Sequence, residues 1–191
     1  MTQMRVRVGD FQLGQREKEA IYAVLDSGRL SEGPKVREFE RKWAAYVGSE
    51  RCVATSSGSA ALVAGLTAMK YVRGFKDGLK VLTTPLTYIA TSSAVNSVGW
   101  EPAFVDVDPQ TFVITPQNVE AHLRQVPDPE NYALILPVHL MGYAADMDAI
   151  QEIGRRYGIA VAEDSAQAHG TLYKGRRTGS LGIFGAFSFY I

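Results

Sequence analysis

Apolar residues recur every three or four positions in some stretches of this chain and crowd into short continuous runs in others, and the two patterns alternate. Ala20, Ile21, Val24 and Leu25 share one face of a helix predicted over residues 15–27. After Gly33-Pro34, a natural helix start, Val36, Phe39, Trp43, Tyr46 and Val47 repeat at helical spacing until Gly48 ends the helix. Short apolar runs predict buried strands over 51–55, 80–84, 102–106, 132–136 and 158–162, and the apolar segment 185–190 predicts a final one. Helices are predicted between them: 60–72, 88–98, one opened by the Thr115 cap and the N1 proline Pro116, and one marked by Met147, Ile150, Ile153 and Tyr157.

Strands separated by helices require parallel crossovers, so the fold class is α/β with a mostly parallel sheet flanked by helices. Residues 1–50 read as a helical segment outside that sheet, and 51–191 as the sheet domain. In such sheets ligands gather at the carboxyl ends of the strands, so the residues just after each strand are the ones to inspect.

Composition narrows the partners. Lys plus Arg and Asp plus Glu number 20 each, so no basic excess draws the chain to nucleic acid or an anionic membrane. A bound phosphate must then be held by local geometry. Cys52 is the only cysteine, which leaves no internal disulfide and no argument for secretion. Residues 1–10 are charged and do not read as a signal peptide, and no apolar run is long enough to span a bilayer, so a cytoplasmic protein is expected.

Several strand ends carry candidate chemistry. Residues 55–61 join a strand to a helix, where free N–H groups and the positive dipole end meet; Gly58 and Ser59 can seat a phosphate there, or Ser57 or Ser59 can simply cap the helix. Asp164 follows the strand 159–162 and is placed either to make a charge-assisted bond to a protonated ring nitrogen or to act as a solvated loop acid. Tyr88 can stack on a flat ring or pack in the core. On a strand, Ser188 would face away from Phe187 and Phe189, toward a ligand phosphate or into the core. His122, His139 and His169 show no metal-type spacing, so no metal site is expected and each reads as structural. P-loop, G-x-G-x-x-G and nucleophile-elbow patterns are absent.

Taken in order, Gly33-Pro34-Lys-Val-Arg-Glu-Phe39, Ser57-Gly-Ser-Ala-Ala-Leu62, Pro85-Leu-Thr-Tyr-Ile-Ala-Thr91, Phe104-Val-Asp-Val-Asp108, Pro137-Val-His-Leu-Met-Gly142 with Asp146-Met-Asp148, Glu163-Asp-Ser-Ala-Gln-Ala-His-Gly170, Tyr173-Lys-Gly-Arg-Arg177 and Phe187-Ser-Phe-Tyr190 resemble the DegT/DnrJ/EryC1/StrS family of sugar aminotransferases. The resemblance runs over nearly the whole chain. It implies the large domain of the fold-type I pyridoxal 5'-phosphate (PLP) transferases. It further implies that Asp164 pairs with the pyridine nitrogen, Gln167 bonds near the ring's phenolic oxygen, Tyr88 stacks on the ring, and Gly58, Ser59 and Ser188 hold the phosphate. The reaction implied moves an amino group, usually from glutamate, to a ketone on a nucleotide-diphosphate sugar, as in amino-sugar and polysaccharide biosynthesis, with active sites shared across a homodimer.

The family's Schiff-base lysine would fall just past Ile191; Lys70, Lys76, Lys80 and Lys174 do not match its position. The resemblance therefore implies an incomplete large domain, a missing small domain, no catalytic residue within the chain, and negligible turnover by the chain alone. Ala144 stands where the family often has proline, and Ile183 where it often has an acid. A dehydratase of the same family, with histidine in the lysine's place, and a non-catalytic binding or dimerisation module are the alternative readings.

Overall fold

The computed structural model describes residues 12–190; residues 1–10, expected above to carry no signal peptide, and Ile191 lie outside them. Six α-helices are described: α1 (Gln15–Asp26), α2 (Pro34–Val47), α3 (Gly58–Arg73), α4 (Ala90–Ser97), α5 (Pro116–Gln125) and α6 (Met147–Tyr157). The end signals act locally as expected. Gly48 ends α2 in left-handed backbone and the Thr115 hydroxyl caps α5 by accepting the Asn118 N–H, whereas Gly158, read from the sequence as the first residue of a strand, ends α6 in left-handed backbone.

The sheet is parallel. Its main part orders β2 (Glu101–Phe104), β1 (Lys80–Thr83), β3 (Tyr132–Ile135) and β4 (Ala160–Val161) side by side. Immediately after β4, β5 (Glu163–Asp164) turns to pair in parallel with β8 (Gly185–Ala186). A bridge from Val138 to Asp164 keeps β5 in line with the chain leaving β3.

Strand parity sorts the core onto two faces. Val81, Leu134 and Leu136 pack with Leu62, Leu66 and Val95 beneath α3 and α4. Their neighbours Leu82, Ile135 and Val161 pack with Val119, Leu123, Met147 and Ile150 beneath α5 and α6. Cover on both faces of β1 and β3 explains why they read as unbroken apolar runs, while the edge strand β2 stays partly exposed.

Three expectations need correction. Residues 51–55 are not a strand: no neighbouring backbone accepts them, the Ala54 N–H goes instead to Glu40 Oε1 (2.8 Å), and Val53 is 76% exposed. The final strand covers only Gly185–Ala186, because from Phe187 onward the chain packs its rings against α2. Residues 163–164, read as a loop after a strand, are themselves paired. A small antiparallel hairpin, β6 (Leu172–Tyr173) with β7 (Arg176–Arg177), and two short 3-10 turns, Pro129–Asn131 and Leu140–Gly142, complete the described elements. Among the described residues no helix is long and apolar enough to cross a membrane.

Candidate active site

A cleft of about 310 Å³ opens at the carboxyl ends of the strands. Gly58, Ser59, Tyr88, Asp164, Gln167 and Ser188, the residues singled out from the sequence, all line it. They arrive on separate elements: the start of α3, the loop before α4, β5 and its following turn, and the chain after β8. A larger hollow of about 430 Å³ lies between the carboxyl ends of α3 and α6. None of those residues reaches it, Arg155 there is tied to Glu152, and Gln151 is spent on the Leu181 carbonyl.

Asp164 is the chemical centre of the cleft. Its backbone is locked on both sides, N–H to the Pro137 carbonyl (2.9 Å) and carbonyl to the His139 N–H (3.0 Å). Its side chain is only 3% exposed, and it makes no ion pair among the described residues. Burial pushes the carboxyl above its ordinary range; the Thr91 hydroxyl and the Ala166 N–H pull it back down. The hydrogen bonds are Thr91 Oγ1 to Oδ2 (2.8 Å) and Ala166 N to Oδ1 (3.2 Å). Each oxygen keeps acceptor capacity, so the carboxylate suits one more donor, best a cationic one.

The start of α3 supplies donors. The Ser57 hydroxyl accepts the Ala60 N–H (3.1 Å) and its carbonyl accepts the Ala61 N–H, so the capping role considered for Ser57 is real. The Gly58 and Ser59 N–H groups have no partner among the described residues and lie at the cleft wall. Gly58 is there because of contact: a Cβ on it would come within 2.5 Å of Ser188 Cβ. That close approach brings Ser59 and Ser188 to one wall. Phe187 and Phe189 meanwhile turn to Trp43 and His169, the alternation expected around Ser188 despite the missing strand pairing.

Gln167 can present only one kind of group. Its Oε1 accepts the Met141 N–H (2.8 Å), so the amide orientation is dictated and Nε2, a pure donor, is left over. Tyr88 is 75% exposed at the rim, free to cover a ligand from outside.

Sequence reasoning missed the supports of this site. Thr91, fully buried, holds Asp164, and Thr87 lies 2.8 Å behind it. Glu163 and His139 are both fully buried and paired, His139 Nε2 donating to Glu163 Oε2 (3.0 Å). His139 Nδ1 accepts the Ala145 N–H (3.2 Å), which puts the ring proton on Nε2. Glu163 also accepts the N–H groups of Gly179 (2.7 Å), Leu181 (2.6 Å) and Gly182 (2.7 Å), which bends residues 179–182 toward β8. The available signal was an acid inside an apolar strand run, which has to find buried donors. His139 is thus structural, as expected; His169 packs in the aromatic cluster, where burial pushes its ring below the ordinary range.

Comparison with known proteins places this geometry. The model of the DegT/DnrJ/EryC1/StrS aminotransferase family matches residues 12–191. The spore coat polysaccharide biosynthesis protein SpsC of Bacillus subtilis (strain 168) is 40% identical over 178 residues, covering 93% of this chain and 43% of that protein. The solved aminotransferase from Psychrobacter cryohalolentis is 37% identical with a TM-score of 0.84, over 93% of this chain and 43% of that one. DesI, solved in the presence of its TDP-sugar product, is 32% identical with a TM-score of 0.77, over 91% and 42%. This chain therefore spans less than half the length of these relatives.

Proposed function

The chain belongs to the DegT/DnrJ/EryC1/StrS aminotransferase family, which works with pyridoxal 5'-phosphate, and from that premise we propose that its cleft is the cofactor seat of an aminotransferase acting on a nucleotide-diphosphate keto-sugar. One observation carries the reading: Asp164, a buried acid with no ion-pair partner among the described residues, shares a cleft wall with unpartnered helix-start N–H groups. That combination of one acceptor for a cationic ring nitrogen and several donors for an anion fits pyridoxal phosphate. When bound, the cofactor supplies an electron-accepting ring on which an amino group can be carried.

The chain's own residues divide the remaining work. Asp164 holds a proton on the pyridine nitrogen. Gln167 donates from Nε2 to the phenolic oxygen, and Tyr88 covers the ring and excludes water. Gly58 and Ser59, with the Ser188 hydroxyl, hold the phosphate. Glutamate is the amino donor in this reading. The exposed Tyr88 and Tyr190 at the cleft, with Ile89, Met141 and Tyr143 also exposed, support a homodimer that shares the site; the cytoplasm is its place in this reading.

The test is a PLP titration followed by absorbance, run in parallel with Asp164→Ala. Saturable binding that weakens at least tenfold in the variant supports the proposal; equal binding by both proteins overturns it. In a protein of the relatives' full length, an amino sugar formed from a nucleotide-linked keto-sugar and glutamate supports the aminotransferase, whereas a deoxy sugar would assign the dehydratase.

A further inference from the structure

The hydroxyls beside Asp164 carry a direction. The contact between Thr87 Oγ1 and Thr91 Oγ1 (2.8 Å) could run either way, since each hydroxyl can donate or accept. Thr91 has a single hydroxyl proton, and Asp164 Oδ2, 2.8 Å away, can only accept when ionised. The Thr91 proton is therefore committed to Asp164, and Thr87 must be the donor to Thr91. The order is Thr87 to Thr91 to Asp164, and all three residues line the cleft. Thr91 is fully buried, sits in the first turn of α4, and its β-branched side chain is restricted at χ1.

Resting on the cofactor reading above, we propose that Thr91, backed by Thr87, is a positioning residue for Asp164: the two hydroxyls form a one-way donor relay that fixes the carboxylate plane and leaves its free acceptor sites facing the cleft. Ala166 N–H fixes the other oxygen, so both ends of the carboxylate are held. A chain of aligned hydroxyls polarises along its length, so Thr87 strengthens the bond that Thr91 makes. The titratable groups beside Asp164 are His139, on the turn after β3, whose backbone N–H donates to the Asp164 carbonyl and whose ring is spent on Glu163 and the Ala145 N–H, and Glu163, the adjacent acid, engaged by His139 and the 179–182 loop.

The test reads Asp164 itself in the cofactor-free protein, by carbon-13 NMR titration of its carboxyl, in wild type, Thr91→Val, Thr91→Ser and Thr87→Val. Thr91→Val keeps the shape and removes the donor; it should raise the titration midpoint by about one pH unit, a tenfold change in proton affinity. Thr87→Val should move it the same way by less, and Thr91→Ser should restore the wild-type value. Thr87, half-buried at the wall, provides the second probe should Thr91→Val fold poorly. An unmoved midpoint in both valine variants overturns the relay, as does a serine variant shifted as far as the valine. Because this readout needs no cofactor, its failure is distinct from a failure of the Asp164→Ala binding test, which bears on the cofactor reading.

Discussion

Glu163→Gln should destabilise the protein far more than its near-identical shape suggests. In the native arrangement Oε1 accepts from Leu181 and Gly182, and Oε2 accepts from His139 Nε2 and Gly179. A glutamine keeps one oxygen and so can serve one of these donor pairs. Its amide NH2 then confronts the other pair, donor against donor. The histidine cannot yield by changing tautomer, because its Nδ1 must go on accepting the Ala145 N–H. Each lost bond to a charged acceptor is worth about 1.5–3 kcal/mol, so two lost bonds amount to about 3–6 kcal/mol, in line with the cost of breaking a buried ionic contact. Against a typical total of about 5–15 kcal/mol this is a large share. Urea unfolding followed by fluorescence would measure it, with an unchanged slope as the check that the same transition is compared. A loss below about 1 kcal/mol would show that the 179–182 loop does not depend on this carboxylate, and the account given for it would fall.

Two further outcomes follow from the same geometry. Burial raises the Asp164 carboxyl in the folded state, so this group favours folding below its unfolded range and that contribution is lost as pH rises through the folded value. Asp164→Asn should accordingly be more stable than wild type at pH 7, with the advantage shrinking as the pH falls toward about 4; thermal melts across that range check it, and an advantage independent of pH would contradict the sign. Gly58→Ala places a Cβ within 2.5 Å of Ser188 Cβ, so Ser188 must move off the start of α3. PLP affinity should fall about tenfold or more while the melting temperature moves by only a few degrees, as isothermal titration and calorimetry would report; unchanged affinity would remove Ser188 from the proposed phosphate seat.

Much of this molecule is legible one residue at a time. Local rules suffice for the helix ends, because a cap or a left-handed glycine acts within a turn: Thr115, Gly48 and Gly158 do what their types require. The apolar runs at 80–84, 132–136 and 158–162 marked strands that are covered on both faces, whereas those at 51–55 and beyond 186 did not. Tyr88 was visible because a parallel sheet sends every strand's carboxyl end to one side, while Gly58 and Ser59 were visible from the helix start alone, since no strand precedes them.

Other features exist only once distant segments meet. Thr91 reads in sequence as an ordinary helix threonine, and becomes the partner of Asp164 across 73 positions. His139 and Glu163 are 24 positions apart, and no periodicity marks them as a pair. Residues 51–55 have the composition of a strand, yet lack one in the fold because a strand needs a neighbour's backbone and α2 supplies a side chain instead. Propensity and periodicity are properties of the chain by itself, so the sequence determined the helices and the chemical types at their ends. Pairing satisfies donors and acceptors between segments, so only the tertiary structure decided which buried groups hold Asp164 in place.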